Sequence, residues 1–282
     1  MFISNALNFA QKELKKENIK SNIIDSEVLL SYILKKERSY LLTNQDRYMI
    51  SESLLNKFKD LIEQRKEKKP VSQIIGKKYF WKYIFNINKF TLTPRPETEH
   101  LVELSLKNLN NNKSNHILDI GTGSGCIIVS LLKETKNSKG VAIDICKEAL
   151  NVAKYNAKMH HIENRIKFFK SSVDKFSFGT YDLIVSNPPY IKSLKIKYLD
   201  EDVKYYEPYL SLNGGLEGLT TIKKVILTAN KLCKLNGKLI LEIDPTQKKR
   251  VIEILKKCGF NNCKVFKDYS QKERIILSTK II

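Results

Sequence analysis

The segment from Ile117 to Leu132 constrains the fold of this chain more than any other. Ile117-Leu118-Asp119-Ile120 is an apolar run of strand length. It leads directly into Gly121-Thr122-Gly123-Ser124-Gly125 and then into the helix-like apolar stretch Ile127, Ile128, Val129, Leu131 and Leu132. Strand, glycine loop and helix in that order form a turn suited to a cofactor. The glycines let backbone approach a ligand where a Cβ would clash, and the start of the helix offers N–H groups without intrahelical partners. The G-x-G-x-G spacing differs from the G-x-G-x-x-G dinucleotide fingerprint, and the loop lacks the Gly-Lys-Ser/Thr ending of a phosphate loop. A second strand, Val141-Ala142-Ile143-Asp144, ends in an acid 19 residues after Gly125. A carboxylate there binds ribose hydroxyls in either a dinucleotide or an S-adenosylmethionine enzyme. Read alone, Asp144 is equally an ordinary helix cap.

Beyond this turn, helices and strands alternate. The patterns predict a helix at 147–160, strands at 166–169 and 181–186, a helix at 220–233, a strand at 238–243, a helix at 247–258, and strands near Val265 and at 274–279. Alternation implies an α/β fold with a mostly parallel, doubly wound sheet, whose ligands sit at the carboxyl ends of the strands. Gly121, Asp144 and Asn187 all fall at such ends. Residues 1–72 read instead as a small helical bundle, with Leu7, Ala10 and Leu14 on one face, Val28, Leu29, Tyr32 and Ile33 on a second, and Leu54, Phe58, Leu61 and Ile62 on a third. These stripes are packing surfaces. Residues 73–93 are expected to form a β-hairpin linker, because the run 78–85 is aromatic and β-branched and Asn86-Ile87-Asn88 supplies turn chemistry. The remaining 94–282 form the larger domain, in which Asn110 to Asn115 is a polar loop.

The chemistry is carried by Asn187-Pro188-Pro189-Tyr190, which follows the apolar run Leu183-Ile184-Val185. Its bland reading is a proline-rich turn that closes a strand. Its functional reading is a rigid cup for a planar NH₂ group. The Asn187 side-chain carbonyl accepts one N–H, the Pro188 carbonyl is aimed by two locked φ angles, and Tyr190 covers the face of a flat amide or base. Such a cup suits methyl transfer to nitrogen. The lone pair of an amide or exocyclic amine is delocalised, so alignment with a methyl donor matters more than a strong base. Carbonyls on both N–H groups also stabilise the positive charge that grows on the nitrogen.

Composition narrows the setting. With 282 residues, 42% of them hydrophobic, the chain can fill one large core and one small one. No apolar run approaches membrane-spanning length, and Met1-Phe2-Ile3-Ser4-Asn5 lacks the pattern of a secretory signal, so no membrane association and a cytoplasmic location are expected. Five cysteines without a C-x-x-C, and four histidines without ligand spacing to them, predict free thiols, no disulfide and no metal. The formal net charge of +20 invites a nucleic-acid partner. Yet the lysines are spread along the chain among abundant Asn and Ile, as compositional drift would also produce. Nucleic acid is therefore not a required partner, and weak nonspecific binding is left open.

The chain resembles the release-factor glutamine methyltransferase family (HemK-like). The resemblance rests on Pro70-Val71-Ser72-Gln73-Ile74-Ile75-Gly76, Tyr79-Phe80, and above all Thr93-Pro94-Arg95-Pro96-Glu97-Thr98-Glu99. Further pieces are Glu207-Pro208, Asn213-Gly214-Gly215-Leu216-Glu217-Gly218-Leu219, Leu241-Glu242-Ile243 with Gln247, and Asp268 with Arg274. It covers about Arg65 to the C-terminus, with a looser helical match before. It implies a Rossmann-like class I methyltransferase sheet with an N-terminal helical substrate-docking domain. By the same resemblance the chain uses S-adenosylmethionine to methylate the side-chain amide N5 of the glutamine in the Gly-Gly-Gln loop of class 1 peptide chain release factors; a monomer is expected. Gly121, Thr122, Gly123, Ser124 and Gly125 then resemble the family's cofactor loop and Asp144 its ribose acid. Asn187, Pro188, Pro189 and Tyr190 match its glutamine-binding motif, with Asn187 also near the cofactor. Arg95, Glu97, Thr98 and Glu99 match a motif that folds over the active site, although Glu97 and Thr98 also read as an ordinary helix start after Pro96. Glu242 contacts the substrate region or only finishes its strand. One departure stands out: Ser172 and Val173 occupy positions where the family usually carries an acid and a large side chain to meet adenine, unless a one-residue shift brings in Asp174. The N-P-P-Y motif is shared with enzymes that methylate exocyclic amines of RNA or DNA bases, and that activity is the alternative reading.

Overall fold

The computed structural model describes residues 1–110, 113–268 and 270–281; residues 111 and 112 of the expected polar loop lie outside the described residues. It divides into two compact units, Met1–Lys77 with Asp200–Tyr206, and Lys78–Leu199 with Glu207–Ile282.

The first unit is helical: α1 (Ile3–Lys16), α2 (Asn22–Leu34), α3 (Arg38–Thr43), α4 (Glu52–Lys66) and α5 (Val71–Ile75). Leu7, Ala10 and Leu14 of α1 meet Leu29, Leu30, Phe58 and Ile62 in one core. The face expected for α2 is displaced, because Leu29, Leu30 and Leu34 are buried while Tyr32 is exposed. Apolar residues occur on nearly every side of α2, so periodicity left its rotation undetermined. Its acids are bound in place instead: Asp25 accepts from Arg65 of α4 at 2.7 Å, and Glu27 pairs with Arg38. On α4 the innermost residues are Leu55, Phe58 and Ile62, with Leu54 and Leu61 half-buried.

The second unit opens with a hairpin, β1 (Lys77–Phe80) and β2 (Tyr83–Asn86). Its turn is Trp81-Lys82, with Trp81 at φ 58°, and not the Asn86-Ile87-Asn88 stretch that the polar residues suggested. Asn88 serves a different turn, in which its side chain accepts from the Phe90 N–H. Trp81 and Tyr83 both donate to Glu134, at 3.1 and 2.9 Å. Those anchors hold the unusual turn in place.

The remaining elements form the sheet and its cover. In chain order they are α6 (Pro96–Asn108), β3 (His116–Ile120), α7 (Cys126–Glu134), β4 (Lys139–Asp144), α8 (Lys147–Met159), β5 (Ile166–Lys170) and β6 (Tyr181–Ser186). Next come α9 (Glu201–Tyr206), which belongs to the first unit, α10 (Tyr209–Leu212), α11 (Thr220–Leu232), β7 (Cys233–Glu242), α12 (Lys248–Lys257), β8 (Phe260–Lys267) and β9 (Glu273–Lys280). The strand order is β5-β4-β3-β6-β7-β9-β8, parallel from β5 to β7 and antiparallel at β9 and β8. Side chains alternate across it as a two-residue period requires. Ile117, Leu183, Val185 and Ile240 pack with α6, α7 and α8, whereas Leu118, Ile184, Leu239 and Leu241 pack with α11 and α12. β7 begins at Cys233, earlier than the expected 238, and absorbs the left-handed Asn236 with a register shift against β6. Strand order reverses between β3 and β6, which opens a crevice at their carboxyl ends.

Candidate active site

The crevice is framed by the glycine loop. Gly121 and Thr122 N–H groups donate to the Ile143 carbonyl at 2.9 and 3.0 Å, pinning the loop to the end of β4. Gly121 and Gly123 have φ of 74° and 54°, and nothing lies within 4 Å of where a Cβ would stand on either. That combination leaves backbone open to a ligand. Gly125, at φ 80°, instead packs against Ala153, where a Cβ would come to 3.1 Å. Below the loop Asp119 is fully buried and accepts from the Thr122 hydroxyl at 2.7 Å. Burial pushes its carboxyl up to about 7, against the opposing hydrogen bond from Thr122. Ser124 lies buried beneath the same loop.

Asp144 closes β4 beside the loop, accepting from Gly123 N–H and from Cys146 N–H, each at 2.9 Å. Burial raises its carboxyl and these backbone donors hold it down. It is thus an acid presented at the glycine loop and not the cap of α8, whose N-cap is Cys146 without a side-chain capping bond. The next strand end carries Ser172 and Val173. Ser171 N–H donates to the Asp144 carbonyl at 3.0 Å, which brings both beside Asp144, and Val173 is fixed by the Thr228 hydroxyl on its carbonyl at 2.9 Å. Asp174 points to Lys224, 3.4 Å away. A nucleoside with a cationic methionine tail fits this set: exposed loop backbone, a carboxylate one strand over, and a half-exposed serine and valine beyond.

Asn187-Pro188-Pro189-Tyr190 leaves β6 on the other side of the crevice. Ser186, just before it, donates to the Ile120 carbonyl at 2.7 Å, so the two strand ends that carry the motifs are tied together. Asn187 Nδ2 donates to Thr98 Oγ1 at 3.1 Å, and Thr98 Oγ1 donates to Glu242 Oε2 at 2.7 Å. The Tyr190 hydroxyl approaches Glu242 Oε1 at 3.4 Å. Burial pushes the Glu242 carboxyl up, opposed by Thr98 and by Arg274, and burial likewise raises the Tyr190 phenol. Arg274 is itself held by Asp268 at 2.7 Å.

The backbone of the motif is clamped from behind. Gln247 Nε2 donates to the carbonyls of Tyr190 and Gly218, both at 3.0 Å, and Gly214 N–H donates to the Ile191 carbonyl at 2.8 Å. A Cβ on Gly218, whose φ is 73°, would meet the Tyr190 oxygen at 2.3 Å, and one on Gly214 would meet the Pro189 oxygen at 2.7 Å. Arg95 pairs with the buried Glu207 at 2.6 Å. Of the remaining residues singled out by sequence, Glu97 and Glu99 occupy the first turn of α6 behind Pro96. Among the described residues they make no hydrogen bond to the Asn187–Tyr190 segment. Reading the sequence did not single out Asp119 or the Gln247 clamp on Tyr190. The acid one residue before the end of β3 was a visible signal for the first, whereas the second depends on contacts across 57 residues. No group of three or more His, Cys, Asp or Glu side chains among the described residues is arranged to hold a metal ion. Nor is any of their helices long and apolar enough to cross a membrane.

Comparison with known proteins bears on this geometry. Residues 5–76 match the PrmC N-terminal domain family and residues 99–205 the methyltransferase small domain family. The release factor glutamine methyltransferase of Clostridium acetobutylicum is 35% identical over 99% of both chains. This chain belongs to the release factor glutamine methyltransferase family. Another relative, the release factor glutamine methyltransferase of Clostridium botulinum, is 38% identical over 95% of each chain. Among solved structures, the hMettl16 catalytic domain in complex with MAT2A 3'UTR hairpin 6 aligns with a TM-score of 0.58 at 16% identity, covering 70% of this chain and 75% of that one. At that identity the likeness concerns the fold, a class I methyltransferase sheet. The stretches that carried the sequence resemblance are scattered from residue 70 to residue 274. The fold gathers many of them around Asn187 and Tyr190.

Proposed function

We propose that this methyltransferase transfers a methyl group from S-adenosylmethionine to the side-chain amide N5 of the glutamine in the Gly-Gly-Gln loop of class 1 peptide chain release factors. The observation that carries the reading is the Asn187 amide, whose nitrogen is engaged by Thr98 so that its carbonyl is left for an incoming N–H. When bound, S-adenosylmethionine supplies an electrophilic methyl group on a sulfonium sulfur. Gly121, Gly123 and Asp144 bind and orient it, Asp144 through its ribose hydroxyls, while Ser172 and Val173 meet the base. Asn187 and the Pro188 carbonyl each hold one N–H of the substrate amide, which turns the nitrogen's out-of-plane lone pair toward the methyl donor. Tyr190 and Pro189 flank the flat amide. As the new C–N bond forms and the methyl–sulfur bond breaks, its electron pair staying on sulfur as a neutral thioether, both carbonyls would stabilise the charge on nitrogen. The methylated nitrogen is strongly acidic at that stage and releases one proton to water, so no strong base is required.

Two glycines before the target carry no side chains, which lets that backbone enter a narrow cup. The helical first unit supplies a second contact that fixes the folded release factor in register. The formal charge of +20 favours a second reading, methylation of an exocyclic base amine. Mass spectrometry of a release factor incubated with the protein and methyl donor distinguishes them. Our reading expects one added methyl on the glutamine of the Gly-Gly-Gln peptide, and an unmodified glutamine at full incubation would contradict it.

A further inference from the structure

We infer that Thr98 and Glu242 are positioning residues that fix which end of the Asn187 amide faces the substrate; the inference rests on the reading of Asn187 as the acceptor for the glutamine amide. An asparagine side chain is nearly symmetric in shape but not in chemistry. Half a turn about its last bond exchanges one acceptor for two donors. Only the carbonyl end can hold an N–H of the target nitrogen, so a free choice of orientation would halve the competent population at best, and a wrong preference would empty it.

The hydrogen-bond directions remove that choice. Glu242 is 2% exposed and receives Thr98 on Oε2 at 2.7 Å, while the Tyr190 hydroxyl stands 3.4 Å from Oε1; Oε2 therefore acts as the acceptor for Thr98, and a proton that burial keeps on the carboxyl belongs on Oε1. A hydroxyl has one proton, and that of Thr98 is committed to Glu242. What remains on Thr98 is lone pairs, which only a donor can use. Asn187 satisfies them with Nδ2 at 3.1 Å and must therefore turn Oδ1 away, toward the cup. Polarity set by a buried carboxylate at the end of β7 is passed through two hydrogen bonds to the substrate. The relay is also held rigidly: Thr98 is 2% exposed, in the first turn of α6 behind Pro96, where the fixed ring orders the helix start. Serine keeps this polarity, whereas valine keeps the shape and abolishes it.

The test uses full-length protein with two readouts. The first is side-chain amide hydrogen exchange by NMR, with the Asn187 signal assigned through Asn187→Ala. In wild type and Thr98→Ser, one Asn187 N–H should exchange at least ~10-fold more slowly than exposed asparagines, and Thr98→Val should lose that protection, as expected for a buried hydrogen bond. The second is steady-state kinetics on intact release factor. Thr98→Val should lower kcat by about 10- to 100-fold, the scale for groups that orient a reacting group, with KM and cofactor affinity within about threefold and Thr98→Ser near wild type. A Thr98 that served only packing would leave the valine variant active and the serine variant impaired, which would overturn the inference. An unprotected Asn187 amide in wild type would overturn it as well. Failure of wild type to label release factor would instead overturn the functional reading, with amide protection still deciding the relay.

Discussion

Asp119 shows how one buried carboxyl shapes the behaviour of the glycine loop. It is fully buried, and its carboxyl is pushed up to about 7 in the folded chain against an ordinary value of 3.8. A raised acid binds more protons folded than unfolded between those limits, so stability falls as pH rises from about 4 to about 7 and levels off above, at ~1.4 kcal/mol per pH unit within that window. Urea unfolding at pH 5 and pH 8 should therefore show a loss in wild type that Asp119→Asn largely removes. Parallel slopes in the two proteins would contradict this assignment. Asp144 differs in being presented to the crevice. Its replacement by alanine should weaken S-adenosylmethionine binding by about 1.5 to 3 kcal/mol, the scale for hydrogen bonds to a charged group, while Ser172→Ala costs less. Calorimetry that ranked Ser172 above Asp144 would require the ribose and adenine positions to be exchanged.

At the scale of elements, the loops that present the site depend on neighbours distant in sequence. The Asn187–Tyr190 segment rests on Gln247 and on the glycines of the 213–219 loop. Gly218→Ala places a methyl group on a left-handed residue against the Tyr190 carbonyl, so it should destabilise the second unit by more than ~1 kcal/mol and lower activity more than stability alone explains. Thermal unfolding and kcat of that variant check both effects, and an unchanged kcat would detach the 213–219 loop from the site. These dependencies also explain what was legible beforehand. Strands β3, β4 and β6 were readable because each is a short apolar run closed by glycine, acid or asparagine-proline. Their order put Gly121, Asp144 and Asn187 on one edge. Local pattern could not orient α2, whose apolar residues occur on nearly every side, nor find the Trp81-Lys82 turn, because tryptophan at positive φ is disfavoured and is sustained by Glu134 from another element. The Thr98–Glu242 bond joins residues 144 apart, and no periodicity carries that information.

At the scale of the whole molecule, one chain carries a methyltransferase sheet and a helical unit that also includes Asp200–Tyr206. The Tyr206 hydroxyl donates to the Glu67 carbonyl at 2.7 Å, so cutting away the first helices would strip that segment of its support. Tests of substrate choice therefore belong on the intact chain. The net charge of +20 makes nonspecific attraction to RNA an obvious competitor, and such attraction weakens with salt. The proposed placement of a glutamine amide against Asn187 would not depend on that attraction. The most direct measurement supplies labelled methyl donor to full-length protein with an intact class 1 release factor and ribosomal RNA in the same tube at physiological salt. Label should accumulate on the release factor glutamine and remain near background on RNA; label found chiefly on RNA bases would contradict the account.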